Sequence, residues 1–281
     1  MARAEQRSDP VAYHGEGPVW SSSWGGLRWV DMLAGDILAL GADGSVSRRH
    51  VDRIAAVVRP RRSGGAVIAI ERGFALEGPD GTVTRLGDLW DDDAVRMNEG
   101  GCDPVGRFYA GSMAYDQRPG AGRLYRLDPD RAVTVVLEGV TLSNGLEWSP
   151  DGALAYYVDT PTHQISVFDY ESGLTGRRVF IEIPADRGGP DGLCVDEEGG
   201  VWVALFGGGA VHRYTADGAL DEIVEVPARQ VTACTFGGPG LDQLFITTSR
   251  ENLDPGDDPL AGALFGFDPG VTGLPVRPFA G

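Results

Sequence analysis

The sequence predicts an all-β fold, a six-bladed β-propeller closed around a central tunnel, and three observations lead there. A strand–turn–strand unit recurs along the chain. It is clearest in Thr141–Thr160, where Asn144-Gly145 precedes the turn Ser149-Pro150-Asp151-Gly152 and an apolar, aromatic run from Ala153 to Val158. Its turn glycine has counterparts at Gly26, Gly65, Gly106, Gly199 and Gly240, giving steps of 39, 41, 46, 47 and 41 residues from Gly26 to Gly240. Units of that period with strands inside them are the mark of a propeller, and six account for nearly the whole chain. Glycine is 42 of 281 residues, about twice the ordinary 7%, and is spread through turns. Amphipathic runs of 3.6-residue period are missing, which removes a solenoid of helical repeats.

Each element follows from the same reading. Residues 1–10 are polar and are expected to fray, although the residues ahead of Glu16 are also available to complete the final blade. Leu27–Met32 alternates as a strand and Ile37–Leu40 follows, with Val46–Val58 continuing the pattern. Arg59, Arg61 and Arg62 read as a solvated turn before Ser63-Gly64-Gly65. Ala66–Ile70 and Gly73–Leu76 form a hairpin. Phe108–Met113 is a strand, and Ala114–Gly122 breaks the rhythm as a loop placed to lean over the tunnel mouth. Strands resume at Leu124–Leu127, Ser166–Tyr170, Thr175–Ile183, Val201–Ala204, Ala210–Tyr214, Val231–Phe236 and Leu244–Thr248. A long loop over 250–262 leads to the last strand, Ala263–Phe267. The expectation is one domain over residues 1–281.

Composition narrows the function. The formal charge is −17 and the chain shows no basic stripe, so nucleic acid and anionic membrane are not expected partners. Three cysteines, Cys102, Cys194 and Cys234, lie in or beside apolar runs without a CxxC pair and read as buried thiols. No signal peptide or apolar run of membrane length is visible, so the expected location is cytoplasmic. Oligomeric state is left at monomer or weak homo-oligomer. Patterns of the GxSxG, Walker A and Rossmann types are not found.

The repeat also sets a ruler. Eight residues before Gly106, Gly152 and Gly199 stand Asn98, Asn144 and Asp191, each followed by glycine within two residues; Glu16-Gly17 precedes Gly26 by ten. Equal offsets in equivalent blades mean equal height along the tunnel, so four oxygen-bearing side chains converge there. The remaining two units offer Val57 and Thr232, which makes the ring lopsided. Glu16, Asn144 and Asp191 supply two carboxylates and an amide oxygen, a set suited to a hard divalent cation, Ca²⁺ before Mg²⁺ or Mn²⁺. A metal there would polarise a carbonyl and acidify a bound water, and Asp191 is placed to act as general base. Arg96 shares a strand face with Asn98 and suits a polyhydroxylated or anionic ligand. His14 and His163 are outside candidates for the tunnel rim.

These residues resemble the senescence marker protein (regucalcin) and gluconolactonase family. The matching stretches are Glu16–Trp20, Arg96–Gly100, Asp103–Met113, Ser143–Ser149, Pro190–Asp196 and Ala261–Phe265, in order along nearly the entire chain. The resemblance implies a six-bladed propeller with one divalent metal in the tunnel, Zn²⁺ and Fe²⁺ being further options, and hydrolysis of a small sugar-derived lactone. It makes Glu16, Asn144 and Asp191 the metal ligands and Asp191 the base. Arg96, Asn98 and Asp116 become the substrate contacts, with Asp116 standing where a one-methylene-longer Glu is common. Two competing functions stay open: a non-catalytic calcium-binding propeller, and a related hydrolase acting on other lactones or organophosphate esters.

Overall fold

A computed structural model describes residues 2–281. Six sheets radiate from one axis. Blade 1 comprises Gly15–Ser21, Gly26–Asp31, Asp36–Leu40 and Val46–His50 from tunnel to rim. Blade 2 comprises Ala55–Pro60, Ala66–Ile70, Gly73–Glu77 and Val83–Asp88. Blade 3 runs through Val95–Cys102, Phe108–Ala114, Gly122–Leu127 and Val133–Val140. Blade 4 runs through Ser143–Trp148, Leu154–Asp159, Gln164–Tyr170 and Leu174–Glu182. Blade 5 holds Gly189–Val195, Val201–Phe206, Ala210–Tyr214 and Leu220–Glu225. Blade 6 holds Val231–Gly237, Gln243–Thr248 and Phe265–Phe267. The six inner strands pack side by side in sequence, and the sixth returns to the first. The run from Val46 to Val58 therefore breaks in two, because the chain must cross from the rim of one blade to the tunnel of the next.

Residues 2–7 are not frayed, and they complete the final blade as the alternative expectation had it. Glu5–Gln6 pairs antiparallel with Gly266 and Phe265 as the fourth strand of blade 6, and Ala2–Arg3 adds a parallel fifth strand to blade 5. Polar side chains carry no signal for this. The driving force is main-chain hydrogen bonding to a sheet edge that would otherwise stay open, as in Ala4 N to Glu225 O and Arg7 N to Leu264 O, both 2.8 Å. The part of that expectation that falls on residue 1 lies outside the described residues.

The core lies between blades rather than within one layer. Trp29, Trp148 and Trp202 sit on the second strand of blade 1, the inner strand of blade 4 and the second strand of blade 5, and all are fully buried. Trp148 packs against Tyr109 of blade 3 and Tyr170 of its own blade, at ring separations of 5.4 and 5.6 Å. Cys102, Cys194 and Cys234 are free and buried, as expected. Of the arginine cluster only Arg62 is the expected solvated turn residue. Arg59 donates to Gly17 O, Val58 O and Gly100 O, and Arg61 to Glu77 O and Gly281 O. These donors fasten main chain at the tunnel wall and the chain's last residues to the underside of blades 1–3.

Deleting residues 1–7 removes both N-terminal strands and several main-chain hydrogen bonds, each contributing about 1 kcal/mol. The expected result in a thermal melt is a Tm lower by roughly 10 °C; an unchanged Tm would show that the closure contributes nothing.

Candidate metal centre and cavity

All six inner strands lose regular pairing at one height. The register breaks between Glu16 and Val19, Ala55 and Val57, Met97 and Gly100, Ser143 and Leu146, Pro190 and Leu193, and Val231 and Ala233. Bulges re-aim side chains. Here they turn Asn98, Asn144 and Asp191 out of the sheets, with Glu16 at the edge of its own break. The other two breaks hold Ala56 and Thr232. The counted offset thus falls on target in blade 6 and one residue late in blade 2, where the turn hydrogen bond is made by Gly64 N to Arg61 O rather than by Gly65.

Two devices fix these strands. Where the second strands of blades 1 and 4 end, Asp31 and Asp159 turn their carboxylates back on the chain entering the inner strand. Asp31 Oδ1 accepts the His14 N–H at 2.9 Å and Asp159 Oδ1 the Leu142 N–H at 2.8 Å, each two residues before a ring residue. The glycines after Asn144 and Asp191 are required by close approach rather than by a turn. A Cβ on Gly145 would lie 2.7 Å from the Asp191 carbonyl oxygen, and one on Gly192 would lie 2.4 Å from the Ala233 Cβ. Neighbouring inner strands converge only because those positions lack a side chain.

A chain of hydrogen bonds ties three blades together at this height. Arg96 Nη1 donates to Asn98 Oδ1 at 2.7 Å, and Asn98 Nδ2 donates to Asn144 Oδ1 at 2.6 Å and to Ser143 O at 2.8 Å. Asn144 Nδ2 donates to Thr160 Oγ1 at 2.7 Å, and Thr160 in turn donates to Pro190 O at 2.8 Å. With its nitrogen committed outward, the amide oxygen of Asn144 faces the axis. Glu16 Oε2 accepts its neighbour's N–H, from Gly17, at 3.0 Å. Asp191 Oδ1 is buried and has no partner among the described residues.

Above the ring opens a cavity of about 350 Å³. Glu16, Arg96, Asn98, Asn144 and Asp191 all line it. Asp116 does not. Its side chain is 63% exposed and is held by Arg118, whose N–H and guanidinium both bond its carboxylate at 3.2 Å. Its loop does lean over the mouth, through Tyr115 and Gln117 on either side. Sequence spacing had no means of separating three successive loop residues. Of the two rim histidines, His14 lines the cavity, with Nδ1 2.7 Å from Ser249 Oγ; His163 closes a short 3₁₀ turn in a left-handed conformation away from it. Glu251 and Thr160 also line it. Neither stands at a repeated offset, which is why spacing passed them over.

The electrostatics centre on buried carboxylates. Burial pushes Glu16 up from 4.5 to about 7, with Glu251 adding to the rise and the Gly17 N–H, Arg96 and Arg59 opposing it. Asp191 is raised well above its ordinary value by burial first and then by Glu16 and Glu99. Burial and the Arg96 charge hold His14 neutral, its value lowered to about 3. Among the described residues no group of three or more His, Cys, Asp or Glu side chains converges on a point. The acidic contribution is two carboxylates, and the third oxygen is an amide. A hard divalent cation fits this set: it matches the donor chemistry, takes up the orphaned Asp191 oxygen and offsets two charges that burial penalises.

The same penalty predicts a stability effect. Glu16 binds its proton more tightly folded than unfolded, so its contribution is neutral below about pH 4.5 and becomes destabilising as pH rises toward 7, by on the order of 3 kcal/mol. Metal-free Glu16→Gln should therefore melt higher than the metal-free parent at pH 8 and close to it at pH 4.5. A variant that melts lower at pH 8 would show that the ionised carboxylate is not a burden.

Comparison with known proteins adds to this geometry. Residues 14–250 match the family model described as the SMP-30/gluconolactonase/LRE-like region. Regucalcin of Danio rerio is 34% identical over 279 residues, covering 95% of each chain, and regucalcin of Gallus gallus 35% over 283 residues with the same coverage. Among solved structures, a calcium-binding protein, regucalcin, from Agrobacterium tumefaciens superposes with a TM-score of 0.91 at 28% identity, covering 99% of this chain and 97% of that one. A gluconolactonase from Xanthomonas campestris superposes at 0.77 over 94% and 89% of the two chains; at 24% identity it speaks for the fold alone. The chain belongs to the SMP-30/gluconolactonase/LRE-like family.

Proposed function

We propose that the protein is a metal-dependent lactonase that opens a small sugar-derived lactone to its hydroxy acid. The observation that carries this reading is a buried carboxylate oxygen without a partner, Asp191 Oδ1, at the floor of a cavity whose wall also presents a guanidinium. Glu16, Asn144 and Asp191 would hold the cation, with Ca²⁺ favoured by the oxygen donors and Zn²⁺, Mn²⁺, Mg²⁺ or Fe²⁺ as further occupants. A divalent cation in that place supplies Lewis-acid polarisation of a lactone carbonyl and charge to balance the developing oxyanion.

The chain's own groups do the rest. Asp191 accepts a proton from the attacking water on the carboxylate oxygen that the cation does not hold. As the acyl carbon–ring oxygen bond breaks, that proton passes to the departing alkoxide, so water is consumed and nothing else is required. Asn98 keeps Asn144 in orientation, and Arg96 presents donors to the substrate. The apolar part of the wall, Leu33, Met113, Leu142 and Phe206, faces the carbon skeleton and limits water around the carbonyl.

A second reading, a cation-binding propeller without turnover, has support from the oxygen ring and from the calcium-binding description of a structural relative. Arg96 separates the two by experiment: a lactonase needs its guanidinium to hold the substrate, whereas a metal binder uses it only to offset the buried carboxylates and to orient Asn98.

Metal-stripped protein should hydrolyse no aldonolactone and should regain turnover when one divalent ion is added back. Asp191→Ala should abolish that turnover by at least about 10²-fold. Arg96→Ala should keep the metal and lose about 10- to 100-fold in kcat/KM. Tight metal binding without turnover on any lactone, unaffected by Arg96→Ala, would sink the lactonase reading and leave the second.

A further inference from the structure

The substrate-side carboxylate that the sequence assigns to Asp116 is missing from the cavity, and another stands in the wall. Glu251 follows the last long strand of blade 6 and is tightly held. Its N–H donates to Ser249 Oγ at 2.9 Å, its carbonyl accepts from Gln230 Nε2 at 3.1 Å, and Asn252 turns the chain away at φ 58°.

The carboxylate itself is unused. It makes no side-chain hydrogen bond among the described residues, and the one titratable side chain within 4 Å of it among them is His14, with Nδ1 3.5 Å from Oε2. That nitrogen is already engaged with Ser249 Oγ at 2.7 Å, so the longer contact is weak. Across the cavity stands Arg96. Glu251 is the largest favourable charge acting on that guanidinium, yet the two do not pair within 4 Å, and among the described residues Arg96 Nε is buried without a partner. Open acceptors on one wall thus face open donors on the other. Two opposite charges free to move would collapse into a pair; these are kept apart by the turn at Asn252 and by the bond from Arg96 to Asn98. A group that both accepts from Arg96 and donates to Glu251 fills the gap, and a ring hydroxyl does both.

We propose that Glu251 is a substrate-binding residue, accepting hydrogen bonds from hydroxyls of the lactone while Arg96 donates to them from the opposite wall. This rests on the lactonase reading and names what selects the substrate within it: the site prefers lactones bearing hydroxyls over unsubstituted rings.

The test compares the protein with Glu251→Ala and Glu251→Gln, all loaded with Mn²⁺, on a trihydroxylated pentonolactone and on δ-valerolactone. The preference for the hydroxylated ring, as a ratio of kcat/KM, should fall about 10- to 100-fold in Glu251→Ala, mostly through KM. It should be partly restored in Glu251→Gln, whose amide oxygen still accepts. A parallel loss on both substrates would reduce Glu251 to a support for His14 and overturn the proposal, as would an unchanged ratio. If neither lactone is opened by the parent protein, the lactonase reading fails by itself. Calorimetry with the neutral polyol xylitol then decides: binding by the parent and not by Glu251→Ala upholds the hydroxyl site, while no binding, or equal binding, overturns it.

Discussion

The organising constraint is the burial of two carboxylates, Glu16 and Asp191, at one height in the tunnel. Burial raises the proton affinity of both, Glu251 adds to that of Glu16, and Glu16 adds to that of Asp191. Such a pair persists only where the surrounding structure over-determines it and where something of opposite charge takes up the field. Arg96 and Arg59 supply part of that charge, Arg96 from the cavity wall and Arg59 from the tunnel wall where it clasps main-chain carbonyls. The remainder is the room left for a cation. Function and instability thus share one origin.

The propeller provides the over-determination. Six inner strands are bulged at the same height, so the ring residues leave their sheets and point inward. Asp31 and Asp159 hold the entries to two of these strands by main-chain hydrogen bonds. The glycines at 145 and 192 let the strands close up until one backbone nearly touches the next. The polar chain from Arg96 through Asn98 and Asn144 to Thr160 then sets which way each amide faces. Stability of the ring as a whole comes from elsewhere, from aromatic packing between blades and from the first residues of the chain closing the last sheet.

Much of this was legible because repetition is a one-dimensional signal. The turn glycines fixed the blade count, and their offsets put Asn98, Asn144 and Asp191 at a common height with Glu16 beside them. What failed had no periodicity to carry it. Residues 2–7 join two sheets through main-chain atoms alone, which side-chain polarity does not reveal. Val57 was off by one residue because the turn glycine equivalent to Gly106, Gly152 and Gly199 is Gly64 rather than its neighbour Gly65. Asp116 was chosen from a loop in which Tyr115 and Gln117 face the cavity and Asp116 faces solvent, a matter of loop dihedrals that spacing cannot reach. Glu251 and Thr160 came to the cavity from connections between strands, where no offset repeats.

The central claim is that the ring of Glu16, Asn144 and Asp191 is a cation site. Diffraction from crystals grown with Mn²⁺, recorded where manganese scatters anomalously, tests it most directly. The account predicts one strong anomalous peak between those three side chains, within about 2.5 Å of an oxygen from each, and its loss in Asp191→Ala. A peak elsewhere in the tunnel, or none at full Mn²⁺ saturation, would contradict it.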